Sequence, residues 1–201
     1  MNTRYSFTLL LLLLASFLSA GAQGKEGQRT DNPWQVDLAA GLHSFYLPGQ
    51  GARFDRPELI TLAGFGKPLG ARQQFSVSLQ VGYGRNNYQG DALQLQLLGQ
   101  FTPVVAGKVE AGLGLGFGYR FALYGSSTLS WRNGEWKKGS AGKGLFQVPV
   151  QFSLGYRSLF LSDYELRPYI AYQAQALLGY NPDLPLMPVS AALLGVKFQK
   201  P

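Results

Sequence analysis

From Phe75 to Tyr83 the chain reads Phe-Ser-Val-Ser-Leu-Gln-Val-Gly-Tyr, large apolar residues alternating strictly with small or polar ones. A period of two places Phe75, Val77, Leu79, Val81 and Tyr83 on one face of a strand, with Ser76, Ser78, Gln80 and Gly82 on the other. The second face lacks the lysines and glutamates of a water-exposed surface. The apolar face therefore reads as the outside of the molecule and the polar face as a crowded inside, which describes a strand facing lipid.

Seven more segments follow the same grammar. Trp34 to Tyr46 sets Trp34, Val36, Leu38, Ala40 and Leu42 against Gln35, Asp37 and His43. Glu58 to Lys67 is mixed on both faces, with Ile60 and Leu62 against Leu59, Thr61 and Phe65. Ala92 to Phe101 sets Leu93, Leu95, Leu97 and Phe101 against Gln94, Gln96 and Gln100. Lys108 to Tyr124 carries an unbroken apolar row from Val109 to Leu123, backed by Glu110, Gly112, Gly114, Gly116, Gly118 and Arg120. The last three strands send outward Phe146, Val148, Val150, Phe152, Leu154 and Tyr156, then Ile170, Tyr172, Ala174, Ala176 and Leu178, then Ser190, Ala192, Leu194, Val196 and Phe198. Each is long enough to cross a bilayer, for which a tilted strand needs about 9 to 11 residues. The pattern predicts an all-β fold, an eight-stranded antiparallel up-and-down transmembrane β-barrel.

The connections alternate in character. Pro68 to Gly70, Pro103 to Gly107 and Ser158 to Glu165 read as mostly short turns, whereas Leu47 to Pro57, Gly84 to Asp91, Gly125 to Gly144 and Asn181 to Met187 are longer or more polar. Membrane barrels of this kind keep short turns in the periplasm and long loops outside. Tyr46, Tyr83, Tyr119 and Tyr180 then form an outer aromatic girdle, and Trp34, Phe101, Tyr156 and Phe198 an inner one. In the third outer loop, Asn133-Gly134 is a hairpin signal, because a type I′ turn needs positive φ at both central positions. A turn there pairs residues whose numbers sum to 267: Arg132 with Glu135, Trp131 with Trp136, Phe121 with Phe146 and Tyr119 with Val148. Outward residues meet outward residues throughout. On the inner face the same register sets Glu110 opposite Arg157, Arg120 opposite Gln147 and Gly118 opposite Pro149, predicting a Glu110–Arg157 ion pair inside the barrel.

The N-terminus supplies an address. Arg4, an apolar stretch from Phe7 to Leu18 with six consecutive leucines, and Ala20-Gly21-Ala22 are the parts of a secretory signal at residues 1–22, cleaved after Ala22. A short lead-in, 23–33, precedes the barrel at 34–201. Charged residues make up 14% of the chain, against about 25% in soluble domains, and past residue 22 no apolar run approaches the length of a membrane helix. Only helices and closed barrels satisfy every backbone group in lipid, so these numbers point the same way as the alternation. Without cysteine, neither disulfides nor thiol chemistry enter, and no lipoprotein anchor is available. Removing Arg4 with the signal leaves a net charge of 17 − 11 = +6; in an exported chain this does not suggest nucleic acid.

Candidate chemistry is sparse. An eight-stranded barrel is only wide enough for its own side chains, and inward glutamines at 35, 80, 94, 96, 100, 147, 151, 173 and 175 suggest a neutral amide plug. The glycines from Gly112 to Gly118 lack both the G-x-G-x-x-G spacing and a following helix, so they read as a smooth strand face. Asp55 and Glu58 are weak candidates for a calcium site, and neither metal nor cofactor is expected. His43, the one imidazole, suits a general base, but its neighbour Ser44 points to the opposite face. The outer hairpin is the better site: Trp131 and Trp136 pair across its strands, with Arg132, Lys137, Lys138 and Lys143 against Glu135 giving 4 − 1 = +3. Exposed aromatics beside cations suit a glycan, lipid phosphates or a protein.

With its signal, eight alternating strands, protruding hairpin and aromatic ending Gly195-Val196-Lys197-Phe198, the chain resembles small outer-membrane β-barrel proteins of the OmpA/OmpX-like kind, and the outer-membrane barrel domain of Bacteroidetes in particular. The likeness covers about Trp34 to Gln199. The resembled barrels end on an aromatic, whereas here Gln199, Lys200 and Pro201 follow Phe198. The resemblance implies a monomer in the outer membrane of a Gram-negative bacterium, inserted by the barrel assembly machinery and surrounded by lipopolysaccharide. It also implies a non-enzymatic role in envelope integrity or in adhesion to a host or envelope protein or glycan, with lipid A acyl modification or small-solute and lipid binding as alternatives.

Overall fold

The computed structural model describes residues 33–45, 57–70, 72–86, 90–124, 129–132, 134–139, 141–157, 159–161, 164–180 and 185–200. The expected signal segment 1–22, the lead-in up to residue 32, Tyr46, Asp55 and Asn133 lie outside them. Twelve strands form in chain order: β1 (Gln35–Phe45), β2 (Glu58–Leu69), β3 (Phe75–Gly84), β4 (Asp91–Phe101), β5 (Val104–Ala106), β6 (Val109–Leu123), β7 (Leu129–Arg132), β8 (Glu135–Lys138), β9 (Gly142–Tyr156), β10 (Leu159–Leu161), β11 (Tyr164–Leu178) and β12 (Leu186–Gln199). Eight of them, β1, β2, β3, β4, β6, β9, β11 and β12, pair antiparallel in that order, and β12 closes back onto β1. The sheet is a closed eight-stranded up-and-down barrel, so its long strands present no open edge to lipid.

The period-two pattern sorts the side chains as a lipid-facing strand should. Leu38, Leu79, Leu95, Phe117, Phe146, Phe152 and Ile170 stand out from the wall, while Gln80, Gln96, Gln147, Gln151 and Gln173 are buried inside it. β2, mixed in sequence, alternates cleanly: Ile60 and Leu62 face in, Leu59 and Phe65 face out. Ser190 keeps its outward place in the alternation, but its short side chain is 2% exposed and lies between the facing Ser44 and Ala174.

Two connections that read as turns contain pairing. β5 runs on along β6 below the end of β4, and β10 along β11 below the end of β9. β11 therefore starts at Tyr164, within the stretch expected to be a turn, because Leu159 to Leu161 pair with Tyr164 to Leu166.

The turn-derived register holds at the tip and is corrected below it. In the separate two-stranded sheet β7–β8, Trp131 faces Trp136 and Arg132 faces Glu135, a sum of 267, and Gly134 has φ of 83°. Along β6–β9 the sum is 265: Tyr119 faces Phe146, Phe121 faces Gly144, Glu110 faces Gly155, Arg120 faces Leu145 and Gly118 faces Gln147. The cause is unequal arms. Residues 124–128, five in number, join β6 to β7, and residues 139–141, three in number, join β8 to β9, so the offset is 5 − 3 = 2. An even offset preserves which face each side chain takes, and the outward rows still meet. Tyr119 and Phe146 touch edge to face at 5.5 Å.

Stepping through directly opposed residues from Gly112 gives Ser153, Ala171, Leu193, Gly41, Ile60, Gly84, Ala92 and finally Ala122. One circuit thus advances 122 − 112 = 10 residues along β6. Eight strands spaced about 4.8 Å apart, with a rise of about 3.3 Å per residue, then tilt by about 41° around a barrel of radius about 8 Å. Such an interior holds side chains and little else. It is also not the all-amide plug that the glutamines suggest. Ala39, Ile60, Leu62, Ala171, Ala191 and Leu193 pack an apolar wall with Tyr169, and Leu145, Leu177, Met187 and Val189 form a second apolar cluster.

Candidate functional site

The lumen network follows one row of opposed residues around the wall: Asp37, Gly64, Gln80, Gln96, Gly118 and Gln147. Gln80 Nε2 donates to Asp37 Oδ2 at 3.2 Å, Gln96 Nε2 to Gln80 Oε1 at 2.6 Å, and Gln147 Nε2 to Gln96 Oε1 at 3.1 Å. The two glycines make the relay possible. A Cβ at Gly64 would stand 2.9 Å from Gln80 Cγ, and one at Gly118 would stand 2.8 Å from Gln96 Cβ. The ring of Tyr169 lies across Gly195, and its hydroxyl donates to Asp37 Oδ1 at 2.7 Å. Lys197 faces Asp37 across the β1–β12 seam, lies 5.5 Å over the Tyr169 ring, and donates to Gln100 Oε1 at 2.8 Å.

Charge collects toward the inner end, where β1 begins and β12 stops. Arg157 Nε lies 3.6 Å from Glu110 Oε1, although Glu110 stands opposite Gly155: the long guanidinium reaches back two residues. Arg167 Nη2 lies 2.9 Å from Glu165 Oε2 and donates to Gln73 Oε1 at 3.2 Å. Three carboxylates, Asp37, Glu110 and Glu165, thus share this part of the lumen with three cations, Lys197, Arg157 and Arg167. Burial of that many charges requires pairing and hydrogen bonding, and both are present. Alternation alone marks Asp37, Arg167 and Lys197 as inward, but only the register brings them together.

His43 points into the lumen. Its ring lies over Gly84, and Nε2 donates to the backbone oxygen of Arg85 at 2.8 Å. It does not meet the lipid-facing surface, and Ser44 follows on the other face of β1. Among the described residues no three His, Asp or Glu gather as a metal site.

At the outer end, the β7–β8 ribbon stands apart from the barrel sheet. Its register places positions 129, 131, 136 and 138 on one face and 130, 132, 135 and 137 on the other. Trp136 is 66% exposed, and Glu135, Lys137 and Lys138 are exposed beside it. Below the ribbon, Lys143 Nζ donates to the backbone oxygen of Tyr180 and lies 5.7 Å over its ring, tying the base of the third outer loop to the fourth.

No protein-family model and no curated protein matches the chain. Solved structures do. Neisserial surface protein A is similar over 83% of this chain and 95% of its own, with a TM-score of 0.54 at 12% identity. The N-terminal β-barrel domain of Pseudomonas aeruginosa OprF is similar over 82% and 96%, with a TM-score of 0.47 at 12% identity. The outer membrane protein AlkL is similar over 89% and 95%, with a TM-score of 0.37 at 13% identity. At 12% identity the likeness to Neisserial surface protein A is one of fold, that of a small eight-stranded outer-membrane barrel.

Proposed function

We propose that the protein is a non-enzymatic outer-membrane β-barrel that acts through its outer hairpin. After export and loss of residues 1–22, the barrel anchors the ribbon at about 125–144, which contacts an envelope or host protein, a glycan, or lipopolysaccharide phosphates. The observation that carries this reading is the β7–β8 ribbon, a separate sheet with Trp131 in register with Trp136 and an exposed Trp136 next to Lys137 and Lys138. A large exposed aromatic flanked by cations invites a partner, whereas the belt below it is accounted for by lipid. The charge pairs Glu110–Arg157 and Glu165–Arg167 fill and brace the lumen in this reading. Placement of His43 inside the lumen supports a binding role over acyl transfer on lipid A.

The test replaces Trp131 and Trp136 by Ala and measures retention of the refolded barrel on immobilised lipopolysaccharide, glycans and envelope proteins. The double variant is expected to lose about tenfold or more in affinity for at least one of them, with heat-modifiable gel mobility unchanged. Wild-type retention on every surface would defeat the proposal. Membrane fractionation of producing cells checks location, and recovery in the soluble periplasmic fraction would remove the premise.

A further inference from the structure

The lipid-facing wall of the barrel is hollowed in one place. Ala40 on β1 and Thr61 and Ala63 on β2 are small outward residues, with Ala40 directly opposite Thr61. Around them stand the large outward side chains of Leu38, Val81, Tyr83 and Leu194. The result is an open groove of about 770 Å³ whose walls are almost wholly apolar. The one hydroxyl on its floor is already used, since Thr61 Oγ1 donates to the backbone oxygen of Tyr83 at 3.5 Å.

The groove follows a row of directly opposed residues, Leu194, Ala40, Thr61, Tyr83 and Leu93. In that direction every step rises toward the outer end, as the advance of ten residues per circuit requires. With strands tilted by about 41° and spaced about 4.8 Å apart, the row climbs about 13 Å along the bilayer normal. That is half of the apolar band of about 25 Å on a membrane barrel, so the groove spans one leaflet. It is the outer leaflet, because Tyr83 and Leu93 stand at the top, beside the outer ends of β3 and β4. There the chemistry changes. The Tyr83 hydroxyl donates to Asp91 Oδ2, which fixes the ring as the upper wall of the groove. Arg85, two residues on and on the same face, is exposed. Asp91 attracts it but is occupied by Tyr83 and by the backbone N of Asn86 at 3.0 Å, and Arg85 belongs to neither ion pair of the described residues.

We infer that this groove seats one acyl chain of lipid A, the phosphorylated glycolipid of the outer leaflet, with a lipid A phosphate on Arg85. The inference rests on the outer-membrane placement of the barrel and is independent of the outer hairpin. An apolar trough with its only floor hydroxyl satisfied offers nothing to a polar ligand, whereas a hydrocarbon chain fills it at no hydrogen-bonding cost. The trough is one leaflet tall and ends beside an exposed cation, so a chain lying in it brings its anionic headgroup to the guanidinium, which binds phosphate through several N–H donors at once. A second copy of this chain is a poorer cover. In a two-fold pair the same surface lies on both sides, and hollow would meet hollow.

Native mass spectrometry of the refolded full chain in detergent micelles, titrated with lipid A, dephosphorylated lipid A or phosphatidylglycerol, tests the assignment. One lipid A per chain is expected to be retained, and the dephosphorylated form and the singly charged diester phosphatidylglycerol to bind about tenfold more weakly or worse. Ala63→Phe fills the groove from the lipid side, away from the lumen, and is expected to weaken lipid A about tenfold while gel mobility remains heat-modifiable. Arg85→Gln is expected to remove the preference for the phosphorylated form. The chain carrying Trp131→Ala and Trp136→Ala should retain lipid A as the wild type does, which separates this site from the hairpin. Equal binding of the three lipids, an unaffected Ala63→Phe, loss of lipid A with the tryptophan pair, or a dimer without lipid would each overturn the proposal. The comparison of lipids uses the unaltered chain, so it stands even where a variant fails to assemble.

Discussion

Asp37 accepts from Gln80 and Tyr169 and faces Lys197, all inside the barrel. Removing its carboxylate leaves those two donors without their shared acceptor and takes the opposed negative charge from the buried Lys197. Loss of one partner from a buried charged cluster costs about 3–5 kcal/mol, whereas Asp37→Asn loses the charge and one of the two accepting oxygens but keeps the other. Asp37→Ala is therefore expected to destabilise the barrel by about 3 kcal/mol and Asp37→Asn by about 1–2 kcal/mol. Urea unfolding in lipid vesicles reads both, and equal losses would show that the charge accounts for the whole effect and the retained acceptor for none of it. The glycines of the same row differ from each other in a comparable way. A methyl at Gly64 meets the flexible Gln80 side chain, while at Gly118 it meets the backbone of Leu95 and Gln96. Gly118→Ala should cost about 2–3 kcal/mol and Gly64→Ala about 1 kcal/mol; the reverse order in the same assay would contradict the relay geometry.

At the scale of strands, parity was legible and register was not. A period of two survives any even shift, so Phe75 to Tyr83 and Val109 to Leu123 show which side chains face lipid whatever their partners. The Asn133-Gly134 signal located the tip of the hairpin, but its register does not pass through arms of unequal length. β5 and β10 were hidden for another reason: three-residue strands carry too few alternations to show a period. The corrected register has a chemical readout, because the chain has no native cysteine. Opposed residues in antiparallel strands place their Cα atoms about 4.5–5.5 Å apart, within disulfide reach, while a two-residue offset gives about 7–8 Å, beyond it. Cysteines at 119 and 146 should cross-link on oxidation, and cysteines at 121 and 146 should not. Non-reducing gels after mild oxidation decide, and the opposite pattern would restore the sum of 267 to the barrel.

For the whole molecule, the advance of ten residues per circuit connects the sequence to the width of the lumen. It sets the tilt and thus a radius of about 8 Å, from which inward side chains must be subtracted. The glutamines named the filling correctly in part. What they could not show is that Gly64 and Gly118 let Asp37, Gln80, Gln96 and Gln147 link into a single partition, since that depends on five registers at once. The relay crosses the lumen along its row, while the apolar clusters of Ile60 and Leu62 and of Leu177 and Met187 line other parts of the inner wall. Reconstituted in planar bilayers, the wild-type barrel is expected to show no stepwise ion conductance. Shortening Gln80, Gln96 and Gln147 together to Ala removes the partition without altering the backbone pairing or the outward belt. It should therefore produce discrete conductance steps while heat-modifiable mobility persists. Steps from the wild-type barrel would mean that the relay opens on its own, and a silent triple variant would place the closure in the apolar wall instead.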